Sequence, residues 1–176
     1  MSLKKTAIIA VFVLAGLAVS AGTACKSKSA RESVAENRIE KALEKASGGK
    51  VDVDLKGGTI KVKTAEGDSV LTTGEQKWPE DLPESAIKFE DAKVRAVARS
   101  STEEGKNWTI HLLDVGDNAL DEYSAKLKDG GWTITMATTA GQGGTIVATK
   151  DGLMVNVMIN ADQKVGIVSF QTGLEK

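Results

Sequence analysis

A single cysteine, a single histidine and two prolines are all that 176 residues hold of those three types. One Cys excludes an intramolecular disulfide framework and any zinc site of the multi-cysteine kind. One His removes most catalytic triads and His-based metal centres, and no cofactor or metal is expected. Aromatics make up only 4% of the chain, so the core must be mostly aliphatic. Neither sign of charge dominates: 23 Lys+Arg stand against 24 Asp+Glu, a net charge of −1. That balance lacks the basic field of a nucleic-acid binder. With 41% hydrophobic and 27% charged residues, the composition is that of a globular protein, neither disordered nor polytopic in a membrane.

The one long apolar run lies at the start. Lys4 and Lys5 precede an uncharged stretch from Thr6 to Ala24, which ends in Gly22-Thr23-Ala24-Cys25. Its strongly apolar part, Ala7 to Val19, would cover about 20 Å as a helix, short of the roughly 30 Å of a hydrocarbon core. A basic start, an apolar centre and small residues before a boundary form a secretory signal. The lone Cys follows at once and borders the polar stretch Lys26-Ser27-Lys28-Ser29, a poor setting for a buried structural thiol.

That arrangement resembles the lipobox of bacterial lipoproteins, although Gly22 stands where the family usually has Leu or another aliphatic residue. The resemblance implies cleavage before Cys25, lipidation of its thiol and acylation of its new amino group. The protein would then be held at a membrane of the cell envelope, facing the periplasm or the exterior. Lys26 after the cysteine, by resemblance to sorted lipoproteins, is consistent with delivery to an outer membrane where one exists. The physical logic is consistent, since each buried methylene contributes about 0.8 kcal/mol and two or more chains anchor durably. On this reading residues 1–24 are a signal peptide and 25–30 a lipid-anchored tether.

From Arg31 to Ala46 the spacing predicts a helix, with Ala35, Ile39, Ala42, Leu43 and Ala46 on one stripe and Ser47-Gly48-Gly49 as its stop. On the neighbouring face Glu32, Glu36, Glu40 and Glu44 recur every four residues. Like charges at that spacing repel by about 0.2–0.5 kcal/mol per pair. The ridge is either a docking surface for a basic partner or a solvated helix face. Lys50 to Leu55 then alternates, and Gly57-Gly58 is a hairpin-turn dipeptide. A loop of those two glycines would set Leu55 against Ile60, Val53 against Val62, Asp54 against Lys61 and Asp52 against Lys63. Cross-strand ion pairs, rather than a calcium site, are the reading of Asp52 and Asp54. A third strand around Ser69–Thr73 would complete a meander, giving a module over 31–77.

Trp78-Pro79-Glu80-Asp81-Leu82-Pro83 holds both prolines and reads as an extended connector. Beyond it, residues 78–176 read β-β-α-β-β-β-β. The strands are Val94–Ser100, Trp108–Leu113, Trp132–Thr138 (with Trp132, Ile134 and Met136 on one face), Thr145–Lys150, Leu153–Asn160 and Val165–Thr172. Asp117 is the expected N-cap of the helix, which turns Ala119, Leu120, Tyr123 and Leu127 inward and stops at Gly130-Gly131. The Asp151-Gly152 turn sets Ala148 and Ile146 against Val155 and Val157, an aliphatic face for that helix. Met154, Asn156, Met158 and Asn160 lie on the other face, whose mixed character predicts partial cover. The fold class is thus α+β: an antiparallel sheet with one packing helix, preceded by an N-terminal helix and a small meander.

The run Tyr123-x3-Leu127-x3-Gly131-Trp132, after a strand and before a series of hairpins, is similar to a module of uncharacterised bacterial envelope lipoproteins. There a proline-rich lead-in precedes a β–α–β unit; Trp78 to Pro83 fits it, while Phe89-Glu90-Asp91-Ala92 replaces the usual Pro-x-Gly-Ala turn. The resemblance carries fold and location, and no activity.

Signals for chemistry are sparse. His111 alternates with Ile110 and Leu112 and points to the less apolar face. Gly141-Gln142-Gly143-Gly144 lacks the following helix that a phosphate loop needs. The expectation is therefore a non-enzymatic, lipid-anchored envelope protein with a binding, assembly or scaffolding role. Its contact surfaces would be the Glu32/Glu36/Glu40/Glu44 ridge and the Met154/Met158 face, its partners the membrane and another envelope protein. The alternatives are a small hydrolase using acids such as Asp114 and Asp117, and a small-ligand or carbohydrate carrier using Trp78.

Overall fold

The computed structural model describes residues 28–173, apart from the side chains of 28–32 and of Glu75. Cys25 and the signal segment lie outside the described residues. The architecture is α+β with antiparallel strands, as expected. The chain divides into two compact units, one ending at Leu71 and the other starting at Thr72. The division falls inside a strand, a few residues before the Trp78–Pro83 connector. Among the described residues no helix is long and apolar enough to cross a membrane.

The first unit holds helix α1 (Lys28–Ser47), strand β1 (Lys50–Asp54), strand β2 (Thr59–Thr64) and the start of β3 (Gly67–Gln76), in the sheet order β1-β2-β3. The helix already includes Lys28, inside the segment read as tether. The hairpin register differs from expectation by two residues: Val53 pairs with Ile60, Asp52 with Lys61 and Asp54 with Thr59. Gly57-Gly58 does not form the loop alone. Asp54 Oδ1 accepts the Gly57 N–H at 2.8 Å, an Asx-type turn that ends the ladder early. A slip of two keeps every side chain on its face, so Val51, Val53 and Val62 still form a small core with Ile39, Leu43 and Ile60. Lys63 no longer opposes Asp52 and lies 3.8 Å from Asp68 instead.

The second unit carries the rest of β3, then β4 (Lys93–Thr102), β5 (Gly105–Leu113), helix α2 (Ala119–Asp129), β6 (Thr133–Ala140), β7 (Gly143–Lys150), β8 (Leu153–Asn160) and β9 (Val165–Gln171). The predicted β-β-α-β-β-β-β sequence of elements is therefore present. Its six strands lie in the order β4-β5-β9-β8-β7-β6, and α2 makes the crossover from β5 to the far edge. The β4–β5 and β6–β7 loops are tighter than the sequence implied. Thr102-Glu103-Glu104-Gly105 repeats the turn of Thr64-Ala65-Glu66-Gly67: in each, the Thr hydroxyl bonds the Gly carbonyl and accepts the Glu N–H. Residues 77–92 are irregular and not simply extended, with a turn closed by the Ala86 N–H on the Pro83 carbonyl.

Helix α2 buries Ala119, Leu120, Tyr123 and Leu127, the four positions its period selected. They pack on Ile146, Ala148, Val155, Val157, Val168 and Phe170. The predicted pairing of Ile146 with Val157 and Ala148 with Val155 is present. Asp151 and Gly152, at φ 49° and 72°, supply the two positive-φ positions of that hairpin. The N-cap is Asn118, one residue after Asp117, and it makes no side-chain cap bond. After Gly130-Gly131 the Trp132 N–H closes on the Leu127 carbonyl at 2.9 Å. Met136 does not share a buried face with Trp132 and Ile134. A bulge between Ile134 and Met136 turns it outward, leaving it 47% exposed.

Candidate functional site

The α2-covered face of the second unit's sheet is filled by its core. The opposite face, set by the two-residue period of each strand, presents two continuous central rows. One runs Ala98, Thr109, Ser169, Asn156, Val147, Met136, and the next Ala96, His111, Ile167, Met158, Thr145, Thr138. The surface is mixed: the first row is polar from Thr109 through Ser169 to Asn156 and apolar at Val147 and Met136, while the second interleaves His111, Ile167, Met158, Thr145 and Thr138. Thr109 Oγ1 lies 3.2 Å from both Ser169 Oγ and Asn107 Oδ1. Asn156 Oδ1 is buried without a hydrogen-bond partner among the described residues. Met158 and Met136 are 53% and 47% exposed, two of the four large hydrophobic side chains exposed among the described residues. Met154 is half-buried on the same face. Unbranched thioether side chains adapt to irregular partners, which suits them to contact surfaces.

A cleft of about 520 Å³ lies at one end of the same unit, lined by Asp81, Leu82, Pro83, Ser101–Lys106, Trp108 and Thr172. Asp81 anchors its wall. One carboxylate oxygen accepts the Trp108 indole N–H at 3.0 Å, and the other lies 3.2 Å from Arg99 Nε. Burial alone would raise the Asp81 carboxyl; the indole donor and then the Arg99 charge outweigh it and hold it below the usual carboxylate value. Trp108 itself is 3% exposed, so its ring offers no stacking platform to a ligand.

The structure places the other sequence candidates elsewhere. Glu36, Glu40 and Glu44 face β1, and their Oε1 atoms accept the backbone N–H groups of Leu55 at 3.0 Å, Val53 at 3.0 Å and Val51 at 3.3 Å. Four residues of helix rise about 6 Å and two residues of strand about 6.6 Å, so the two periods stay in step. Those three glutamates thus take the place of a neighbouring strand along the β1 edge. They are half-buried, whereas Ala42 and Ala46, expected inward, are exposed. The side chain of Glu32 lies outside the described residues.

Asp114 is solvated and 2.9 Å from Lys93 Nζ, and Asp117 is exposed. No group of three or more His, Cys, Asp or Glu gathers as a metal site among the described residues. His111 sits on the solvent side of β5. Partial desolvation there, and then the Arg95 charge, hold it below the ordinary imidazole range. Trp78 packs against the main core instead of lining the cleft. Asp81 was read only as part of the connector; its pairing with Trp108 and Arg99 spans 27 and 18 residues, a separation that periodicity does not reveal.

A family model described as START domain-like matches residues 99–166, from β4 through α2 to the start of β9 and less than half of the chain. No curated protein matches. Neither does any solved structure. The family match is compatible with a binding role for the second unit.

Proposed function

We propose that this chain is a bacterial lipoprotein, tethered to the cell envelope through an acylated Cys25, whose second unit is a binding and not a catalytic module. The observation that carries the binding reading is the sheet face bearing Met136 and Met158, which keeps two flexible apolar side chains in solvent beside a polar band. The START domain-like match over 99–166 spans both methionines and supports the same reading. The placement of the acids favours binding over hydrolysis: Asp114 is tied to Lys93, and Asp81 is committed to Trp108 and Arg99.

Two measurements test the two halves. Replacing Cys25 with Ser should shift the protein from the membrane pellet to the soluble fraction, and mass spectrometry of the native protein should find acyl chains at residue 25. An unmodified thiol with unchanged fractionation rejects the anchor. A photoreactive residue at position 158 should cross-link a specific envelope partner in intact cells, while one at the exposed Asp162 should not. Equal yields at both positions reject the sheet face as the contact surface.

A small-ligand reading survives in altered form. A concavity among the described residues that could serve it is the 520 Å³ cleft beside Asp81, whose lining does not include Trp78.

A further inference from the structure

The two outermost strands of the sheet order, β1 and β6, are finished in opposite ways. Strand edges present unpaired backbone groups, and proteins guard them with charges, prolines or a covering element. The β1 edge is covered by the carboxylates of Glu36, Glu40 and Glu44. Strand β6 has no such cover among the described residues. All eight of its residues, Thr133–Ala140, are uncharged, none is proline, and all but Ile134 are exposed. The uncharged span runs further, from Gly130 to Thr149, bounded by Asp129 and Lys150. In a chain with 27% charged residues that is a strong local depletion. The bulge between Ile134 and Met136 bends only the first part of β6, and Met136 to Ala140 continue in regular register against β7.

We infer that β6 pairs with β6 of a second copy of this chain, antiparallel about a two-fold axis, to make one continuous sheet across a homodimer. An antiparallel edge is self-complementary: the donors and acceptors of one copy meet the acceptors and donors of the other. Charge decides in favour of a second copy. Self-pairing over this span sets no like charges opposite one another, whereas a typical charged strand would have to lay its charges against Thr and Ala. The pairing also brings the exposed Met136 side chains of the two copies toward the axis. This deepens the assembly reading of the same sheet but stands on the edge strand alone, independent of the Cys25 anchor.

Sedimentation of the purified full chain across rising concentration tests it. The expected result is a species of twice the chain mass that dissociates on dilution. Thr138→Lys and, separately, Thr139→Lys should each return the mass to one chain with an unchanged circular dichroism spectrum. Two variants are named so that a folding defect in one leaves the other decisive. A single-chain mass at every concentration overturns the inference, and so does a doubled mass that persists in both folded Lys variants. Neither outcome bears on Cys25, whose role is read separately by fractionation.

Discussion

Glu40 Oε1 accepts the backbone N–H of Val53 at 3.0 Å, so a helical side chain stands where a strand carbonyl would otherwise be. Its neighbours Glu36 and Glu44 do the same one step along each element. The like-charge ridge therefore has a structural use, and the donors opposite offset its mutual repulsion.

Removing that acceptor should expose the edge. Glu40→Ala should cost the first unit about 1 kcal/mol, the usual net value of one such bond. Amide exchange at Val53 should quicken more than at Val62, which lies on the neighbouring strand. Glu40→Gln keeps an acceptor oxygen and should lose less. Equal exchange in all three proteins would show that the contact contributes nothing to the edge.

Tyr123 joins α2 to the connector. Its hydroxyl donates to the Ile87 carbonyl at 2.7 Å, and its ring stacks on Phe89 at 4.3 Å between centroids, 4° from parallel. Tyr123→Phe keeps the stack and removes the donor to the part-buried Ile87 carbonyl, which should cost about 1 kcal/mol. Burial pushes the phenol well above its ordinary value of 10.0. The folded state thus holds its proton where the unfolded chain has released it. The stabilisation is complete below about pH 10 and is lost as pH rises above it. Thermal melts should show a fall in midpoint above pH 10 that is shallower in Tyr123→Phe.

Asp81 gives the opposite pH dependence. Its carboxylate, held below the usual range by Trp108 and Arg99, contributes stability that is present above the ordinary carboxylate value and is lost as pH falls through the folded one. The group is half-exposed, so the contribution should stay under about 1 kcal/mol. Acid titration followed by the Trp108 indole N–H resonance should report the loss of the bond below about pH 4. Asp81→Asn should flatten the stability profile over that interval. A profile identical to the parent would mean that the pairing carries no weight.

Local periodicity made the fold legible where one face of an element is buried. Ala119, Leu120, Tyr123 and Leu127, the Asp151-Gly152 register and the order of elements after the connector could all be read from spacing. Positions decided by a single local bond were not legible. Asp54 capturing the Gly57 N–H moved the first hairpin by two residues, and the bulge before Met136 turned that side chain outward. The site was legible in part. Alternation put Met154 and Met158 together on the less apolar face, but Met136 joins that face only through the bulge. The glutamate ridge was seen as a pattern while its partner was not, because a helix covering a strand edge leaves no periodic trace in the strand.

Gly144 tests the close packing that sets the β6 edge in place. It pairs with Thr139 at the end of the β6–β7 hairpin and holds φ at +151°, a conformation side chains rarely adopt. A Cβ there would run into the Thr138 carbonyl oxygen and come within 3.0 Å of Leu120 Cδ2 on α2. Backbone oxygen cannot yield as a flexible side chain does, so Gly144→Ala must open the hairpin or displace the helix. The expected cost is about 1–3 kcal/mol, read as a lower midpoint in denaturant melts with an unchanged slope. Gly141→Ala in the loop just before β7, where nothing lies within 4 Å of the added carbon, keeps only the strain of its φ of +60° and should cost less. Equal losses in the two variants would mean that backbone conformation alone, and not contact with Thr138 and Leu120, requires glycine at 144.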